Sequence, residues 1–140
     1  MDYKVQNHLH PYVFEDIKTI TDSNINWPCL CNKTVLITGG NGFIAFYLVC
    51  AMLIRNDLCG SNIKVKALVR NLANAEKKYG ELLNRDDLEL IVQDVCAPFE
   101  FDRADFVIHA ASQASAYYFE NDPAGTIDAN LTGTANALEY

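Results

Sequence analysis

Thr34-Val35-Leu36-Ile37-Thr38-Gly39-Gly40-Asn41-Gly42-Phe43-Ile44-Ala45-Phe46-Tyr47-Leu48-Val49 decides the fold of this chain. An apolar run leads into a glycine turn, and a second apolar run leaves it. A strand, a tight turn and a helix start are thereby compressed into one short stretch. That arrangement gathers free backbone N–H groups and the positive end of a helix at one point, where a pyrophosphate binds. Gly39 suits the tight bend after the strand. Gly42 has no Cβ and lets the backbone approach a ligand closely. Ala45, at the third small position, lets the helix press against the strand. A Walker-type loop is excluded, because no Gly-Lys-Ser/Thr follows the turn.

Working outward, the pattern alternates. The spacing predicts strands over 33–38, 63–69, 88–92 and 105–110, with helices over 42–56 and 72–84. Phe43, Phe46, Tyr47, Val49, Cys50 and Leu53 are expected on the buried side of the first of these helices. Asn56-Asp57 and Cys59-Gly60-Ser61-Asn62 are expected in the loop that follows it. The link over 94–104 contains Pro98 and reads as loop or a short turn of helix. A last helix follows Asp122-Pro123 and runs to the end. Strands alternating with helices imply parallel pairing through right-handed crossovers. The fold class is therefore α/β: a Rossmann-type doubly wound parallel sheet, incomplete, with strand order 3-2-1-4. Residues 33–140 form the dinucleotide-binding domain. Residues 1–32 form an extension with one amphipathic helix near 12–21, since Val13, Ile17 and Ile20 repeat at helical spacing. Trp27-Pro28 opens an extended approach to the first strand. The extension reads either as a helix packed on the outside of the domain or as an arm for a partner.

Bulk properties exclude several classes. The 140 residues are 50% hydrophobic and carry a net charge of -7, so no basic surface exists to neutralise nucleic-acid phosphates. No apolar run approaches the ~20 residues needed to span a bilayer, and the first six residues lack a leader pattern. Five scattered cysteines (Cys29, Cys31, Cys50, Cys59, Cys96) read as free thiols of a cytoplasmic protein, with no spacing for a metal.

Further candidates sit at the carboxyl ends of the strands. Arg70 occupies the place where an acid reads the ribose of NAD, and its guanidinium suits the 2′-phosphate of NADP. NADP is thus slightly favoured over NAD, although an arginine stacked on the adenine serves either. Asp94 can accept from an adenine amino group, with Val95 packing on the ring, or can cap its own loop. His109-Ala110-Ala111-Ser112 closes the fourth strand. The small residues leave room for a ribose and the pyrophosphate. His109 reads as structural or cofactor-facing, and Ser112 as a ribose contact or a turn cap. Asn130 and Gly133 lie inside the last helix, where both are mediocre helix formers, which points to close packing and a bonded asparagine.

Taken together, Thr38-Gly39-Gly40-Asn41-Gly42-Phe43-Ile44-Ala45, Asp94-Val95, His109-Ala110-Ala111-Ser112 and Asn130-x-x-Gly133-Thr134 resemble the extended short-chain dehydrogenase/reductase family. Within it they resemble the NAD-dependent epimerase/dehydratase group, which acts on sugar nucleotides. The resemblance covers about 33–140 and implies an NAD(P)-binding oxidoreductase with a nucleotide-sugar substrate in the full-length protein. The cofactor-binding residues it implies are Gly39, Asn41, Gly42, Phe43, Ile44, Arg70, Asp94, Val95, His109, Ala110, Ala111 and Ser112. Ala45 replaces the family's usual glycine, and the acid of its NAD readers is missing near Arg70. The family's catalytic Tyr-x-x-x-Lys is absent from these 140 residues: none of Tyr3, Tyr12, Tyr47, Tyr79, Tyr117, Tyr118 or Tyr140 has a lysine four residues on within the chain. The chain is accordingly expected to be an amino-terminal part without the substrate domain, inactive by itself and prone to self-association through its fourth strand or last helix. The alternative is a non-catalytic NAD(P) sensor or an interaction module of the same fold.

Overall fold

The computed structural model describes Val5 and residues 8–140. The reading of the first six residues as free of a leader pattern falls outside these, Val5 apart. Four strands, β1 (Thr34–Thr38), β2 (Lys64–Val69), β3 (Leu88–Val92) and β4 (Phe106–His109), form one sheet in the order β3-β2-β1-β4. All three pairings are parallel, with Val35 opposite both Val65 and Phe106. The expected strand order and class are therefore what the chain adopts.

Alternation along the strands divides the interior into two layers. Val35, Ile37, Val65, Ala67 and Val69 face the larger core, while Leu36 and Leu68 face a smaller one with Val95. The larger core is closed by α2 (Phe43–Cys59). That helix is apolar on nearly every side because a second helix covers its back: α1 (Pro11–Asp22) buries Phe14 and Ile17 against it. Trp27 joins the same core, and the Arg55 guanidinium lies 5.5 Å from its ring centroid. Arg55 also donates to the Thr21 carbonyl at 3.3 Å. The extension thus supplies a third layer over α2.

Several boundaries differ from the sequence expectation, each for a local reason. The helix expected to stop near residue 56 continues to Cys59. Asn56 does not break it, because its side chain brackets Ile63, accepting from the amide and donating to the carbonyl, both at 2.8 Å. The helix expected over 72–84 divides into α3 (Leu72–Tyr79) and a 3₁₀ turn over Gly80–Asn84. Gly80 has φ +49, a conformation that costs other residues strain. Trp27–Leu30 is a 3₁₀ turn instead of extended chain. Phe43 is 72% exposed and not on the buried side, since it is the first residue of α2 and precedes the turn that reaches the sheet. A helix not foreseen, α4 (Ala116–Asn121), precedes α5 (Pro123–Glu139). The smaller core is thinly roofed: Val107, Ile127, Leu131 and Leu138 are all exposed.

Candidate functional site

A cavity of about 530 Å³ opens beside the glycine turn, at the carboxyl ends of the strands. Its size falls within the range of small-molecule pockets. Strand ends at the place where the winding of a doubly wound sheet changes direction form such a crevice.

The turn is shaped by backbone geometry. Gly39 has φ +68, and a Cβ there would stand 2.7 Å from the Ala110 carbonyl oxygen. Only glycine allows β4 to pass so close. The Gly42 amide folds back onto the Gly39 carbonyl at 2.7 Å, and the Gly40 amide donates to Leu68 at 2.9 Å. Gly42 is the N-cap of α2 and offers no side-chain cap to the helix. The first-turn amides of Phe43, Ile44 and Ala45 therefore have no intrahelical acceptor. A helix start without a cap, opening on a cavity, is a cradle for an anion. A Cβ at Gly42 would lie 3.0 Å from the Gly39 oxygen and tighten that cradle. These features fit a diphosphate.

Most of the residues singled out in the sequence line the cavity: Gly39, Asn41, Gly42, Arg70, Asp94, Val95, Ala110, Ala111 and Ser112. Three do not. Phe43 and Ile44 turn their side chains to solvent, 72% and 69% exposed, and offer only their amides. His109 points behind the pocket wall. Its Nδ1 lies 2.9 Å from the Thr38 hydroxyl, and its Nε2 is buried with no partner among the described residues. Asp94 accepts from the Cys96 amide at 2.9 Å, so it caps its loop; its other oxygen lies 4.0 Å from Arg70 Nη1. Asn41 donates to the Asn71 carbonyl at 3.0 Å, while its own Oδ1 is buried without a partner among the described residues.

Sequence reasoning passed over a second wall of the cavity, made of Gln113, Asp122, Gly125 and Asp128. Gln113 donates to Asp122 at 3.0 Å and accepts from the Thr126 hydroxyl at 3.1 Å. Those bonds tie the loop after β4 to the start of α5. Hydrogen bonds from Gln113 and the Gly125 amide, with Arg70 nearby, hold the Asp122 carboxyl below the usual carboxylate range. The Asp-Pro helix start gave the only clue. Gly133 is buried on α5, where a Cβ would come 3.0 Å from Val95 and 3.3 Å from His109. The expected close packing is there. Asn130, however, bonds the carbonyl of Thr126 on its own helix, and Asn136 is the side chain that crosses to the loop, reaching Val95 and Ala97 carbonyls.

Parallel strands, a glycine turn and an uncapped helix at their carboxyl ends define the class, a Rossmann-like doubly wound domain. The chain belongs to the NAD dependent epimerase/dehydratase family, whose profile matches residues 35–140. It is 31% identical over 109 residues to UDP-glucuronic acid decarboxylase 6 of Arabidopsis thaliana, covering 76% of this chain and 29% of that protein. It is 32% identical over 107 residues to UDP-glucuronic acid decarboxylase 1 of Danio rerio, covering 76% of this chain and 24% of the relative. The chain thus spans less than a third of the length of these curated relatives. Among solved structures it is similar to Pen from Bacillus thuringiensis, with a TM-score of 0.66 at 20% identity, covering 79% of this chain and 34% of that one. That likeness concerns the fold.

Proposed function

We propose that the chain binds a nicotinamide dinucleotide with its diphosphate on the turn from Gly39 to Ala45, and forms the cofactor-binding portion of an oxidoreductase for nucleotide sugars. The observation that carries this reading is the start of α2, which has no side-chain cap and opens on the cavity beneath it. Family membership supports a nicotinamide cofactor. Bound, such a cofactor supplies a hydride acceptor. The chain's own residues hold and orient: the amides of Phe43 and Ile44 meet the diphosphate, Ala110, Ala111 and Ser112 leave space for the ribose, and Asp94 with Val95 borders the adenine. Residues 33–140 constitute this unit, and 1–32 its extension.

Arg70 supports NADP over NAD. Its ion pair with Asp94 is long, 4.0 Å, with side chains 65% and 48% exposed. Such a pair contributes little, so the guanidinium is available to a 2′-phosphate, with which it forms the stronger two-pronged contact.

The substrate class is a nucleotide sugar, to which the UDP-glucuronic acid of the relatives' names belongs. The 140 residues hold no Tyr-x-x-x-Lys to move a proton at a sugar hydroxyl, and we expect no turnover from them. Exposed Phe106 and Val107 on the edge strand favour association of two copies. No helix among the described residues is long and apolar enough to cross a membrane, and the free, exposed thiols of Cys29 and Cys59 suit a reducing cytoplasm.

Calorimetric titration with NADPH and NADH tests the reading. Binding of both, with NADPH weakened about tenfold by Arg70→Asp and NADH unchanged, supports it. Absence of binding by either rejects it.

A further inference from the structure

Three consecutive carbonyls of the glycine turn accept from one helix, and the last of them, of Gly42, also accepts from the Phe46 amide of α2 at 3.1 Å. The Tyr79 hydroxyl donates to Gly40 at 2.7 Å. The Lys78 ammonium donates to Asn41 at 2.7 Å and to Gly42 at 3.2 Å. Both donors stand in the last turn of α3. The ammonium also lies 4.8 Å from the centroid of the Phe46 ring, which fills the remaining side of its charge. Neither donor enters the cavity, whose lining among the described residues includes neither Lys78 nor Tyr79.

In a trans peptide the N–H points opposite to the carbonyl it is bonded through. Fixing the Gly40 carbonyl on the α3 side therefore turns the Asn41 amide the other way, and the Gly42 carbonyl, shared between Lys78 and the Phe46 amide, does the same for the amide of Phe43. The middle amide, of Gly42, is already held by Gly39. We propose that Lys78 and Tyr79 are the positioning residues of the turn, holding its carbonyls on α3 so that the Asn41 and Phe43 amides face the cavity and a diphosphate there. The charge adds to the effect. Among the described residues Arg70 is the only cation in the cavity lining, which also carries the acids Asp94, Asp122 and Asp128. Lys78 brings a positive charge behind the turn without entering the pocket, and it polarises the very peptides whose amides would meet the anion. Burial lowers the pKa of Lys78, in keeping with an ammonium enclosed by the turn.

The brace continues outward. His8 Nε2 lies 2.9 Å from the Lys78 carbonyl, and its ring covers the face of Gly80, where a Cβ would stand 2.5 Å from His8 Cε1. The extension thereby packs against the same end of α3 that holds the turn.

This inference rests on the nucleotide reading for its ligand, but not for its test. Amide hydrogen exchange of the ligand-free 140-residue chain measures the brace directly. In Lys78→Met the Gly42 amide is expected to exchange at least about tenfold faster, while β1 and β2 amides keep their protection. Lys78→Arg, which retains charge and donors, should recover most of the protection. Tyr79→Phe removes one hydroxyl without a charge and should loosen the Gly40 amide in the same selective way. Titration with ADP and with adenosine adds a second arm. Lys78→Met should weaken ADP about tenfold and leave adenosine, which has no phosphate, unaffected. Unchanged exchange at Gly42 and Gly40 in both variants overturns the proposal. Failure of the unmodified chain to bind ADP rejects the nucleotide reading instead, and leaves the exchange result to decide the brace.

Discussion

The Thr38 hydroxyl stands 2.9 Å from His109 Nδ1, across the β1–β4 pair in which these two residues are register partners. The same oxygen accepts from the Ala110 and Ala111 amides, each at 3.1 Å. With its lone pairs so engaged, the hydroxyl has its proton left for the histidine. His109 is then an acceptor at Nδ1 and carries its hydrogen on Nε2. A single buried threonine thus fixes the exit of β4, the ring orientation of His109 and the floor of the cavity. Thr38→Val keeps the shape and removes the hydroxyl, leaving two amides and a ring nitrogen unpaired. We expect a loss of about 2–3 kcal/mol in urea unfolding, and a much smaller loss for Thr38→Ser.

Gly39→Ala tests the turn itself. The added Cβ meets the Ala110 oxygen at 2.7 Å and the Ala111 Cα at 2.8 Å, on a backbone at φ +68. Neither neighbour is a flexible side chain. The variant is expected to lose at least about 2 kcal/mol of stability and to bind no dinucleotide, read by urea unfolding and calorimetry.

Arg85 secures the loop before β3 from beneath. Its Nε donates to Asp87 at 2.7 Å and its Nη2 to Asp57 at 2.9 Å, with the arginine side chain only 8% exposed. Burial opposes ionisation of Asp87, but hydrogen bonds from Arg85 and Asn56 outweigh it and hold the carboxyl below its ordinary range. A carboxyl with a depressed folded-state pKa stabilises the fold above its unfolded pKa of about 3.9, and that stability is lost as pH falls through the folded value. Arg85→Met should cost about 3 kcal/mol at neutral pH. It should also flatten the acid limb of stability below about pH 4, as followed by circular dichroism across pH.

Cys50 lies wholly inside the core, and burial pushes its thiol up to about 12. The thiolate is the reactive form, so Cys50 should resist alkylation by iodoacetamide at pH 8 in the folded chain. The exposed Cys29 and Cys59 should be modified first. Mass spectrometry of the peptides gives the order, and Cys50 labelling ahead of unfolding would contradict the packing.

The free edge of β4 bears on assembly. Val107 is 36% exposed and Phe106 40%. Light scattering at tens of micromolar, a concentration at which modest interfaces associate, should show species larger than a monomer. Val107→Lys should reduce them by placing a charge on the edge.

The site was legible in the sequence where its chemistry lies in the backbone. Gly39, Gly42 and Ala45 sit at fixed spacing after an apolar run, and the sheet order followed from the alternation of strands and helices. What escaped depends on contacts distant in sequence. Gly80 reads as one residue inside a helical pattern, and only the packing of His8 against it shows why α3 ends there. Asn56 reads as a loop signal, since nothing local reveals that its amide will grip Ile63 from within a helix. Gln113 and Asn136, and the bond from Gln113 to Asp122, became visible only when α5 was laid against the loops after β3 and β4. Phe43 misled because helical periodicity assigns a face but does not say at which turn the helix first meets its neighbour.

We propose above all that the amides at the start of α2 receive a diphosphate. The ¹⁵N–¹H spectrum of the 140-residue chain during titration with NADPH tests it most directly. Saturable shifts are expected, largest at Asn41, Phe43 and Ile44, with smaller ones at Arg70 and Ala111. Spectra unchanged at these amides up to about 5 mM ligand, where even a weak millimolar site is mostly filled, would contradict it, as would shifts confined to another face of the sheet.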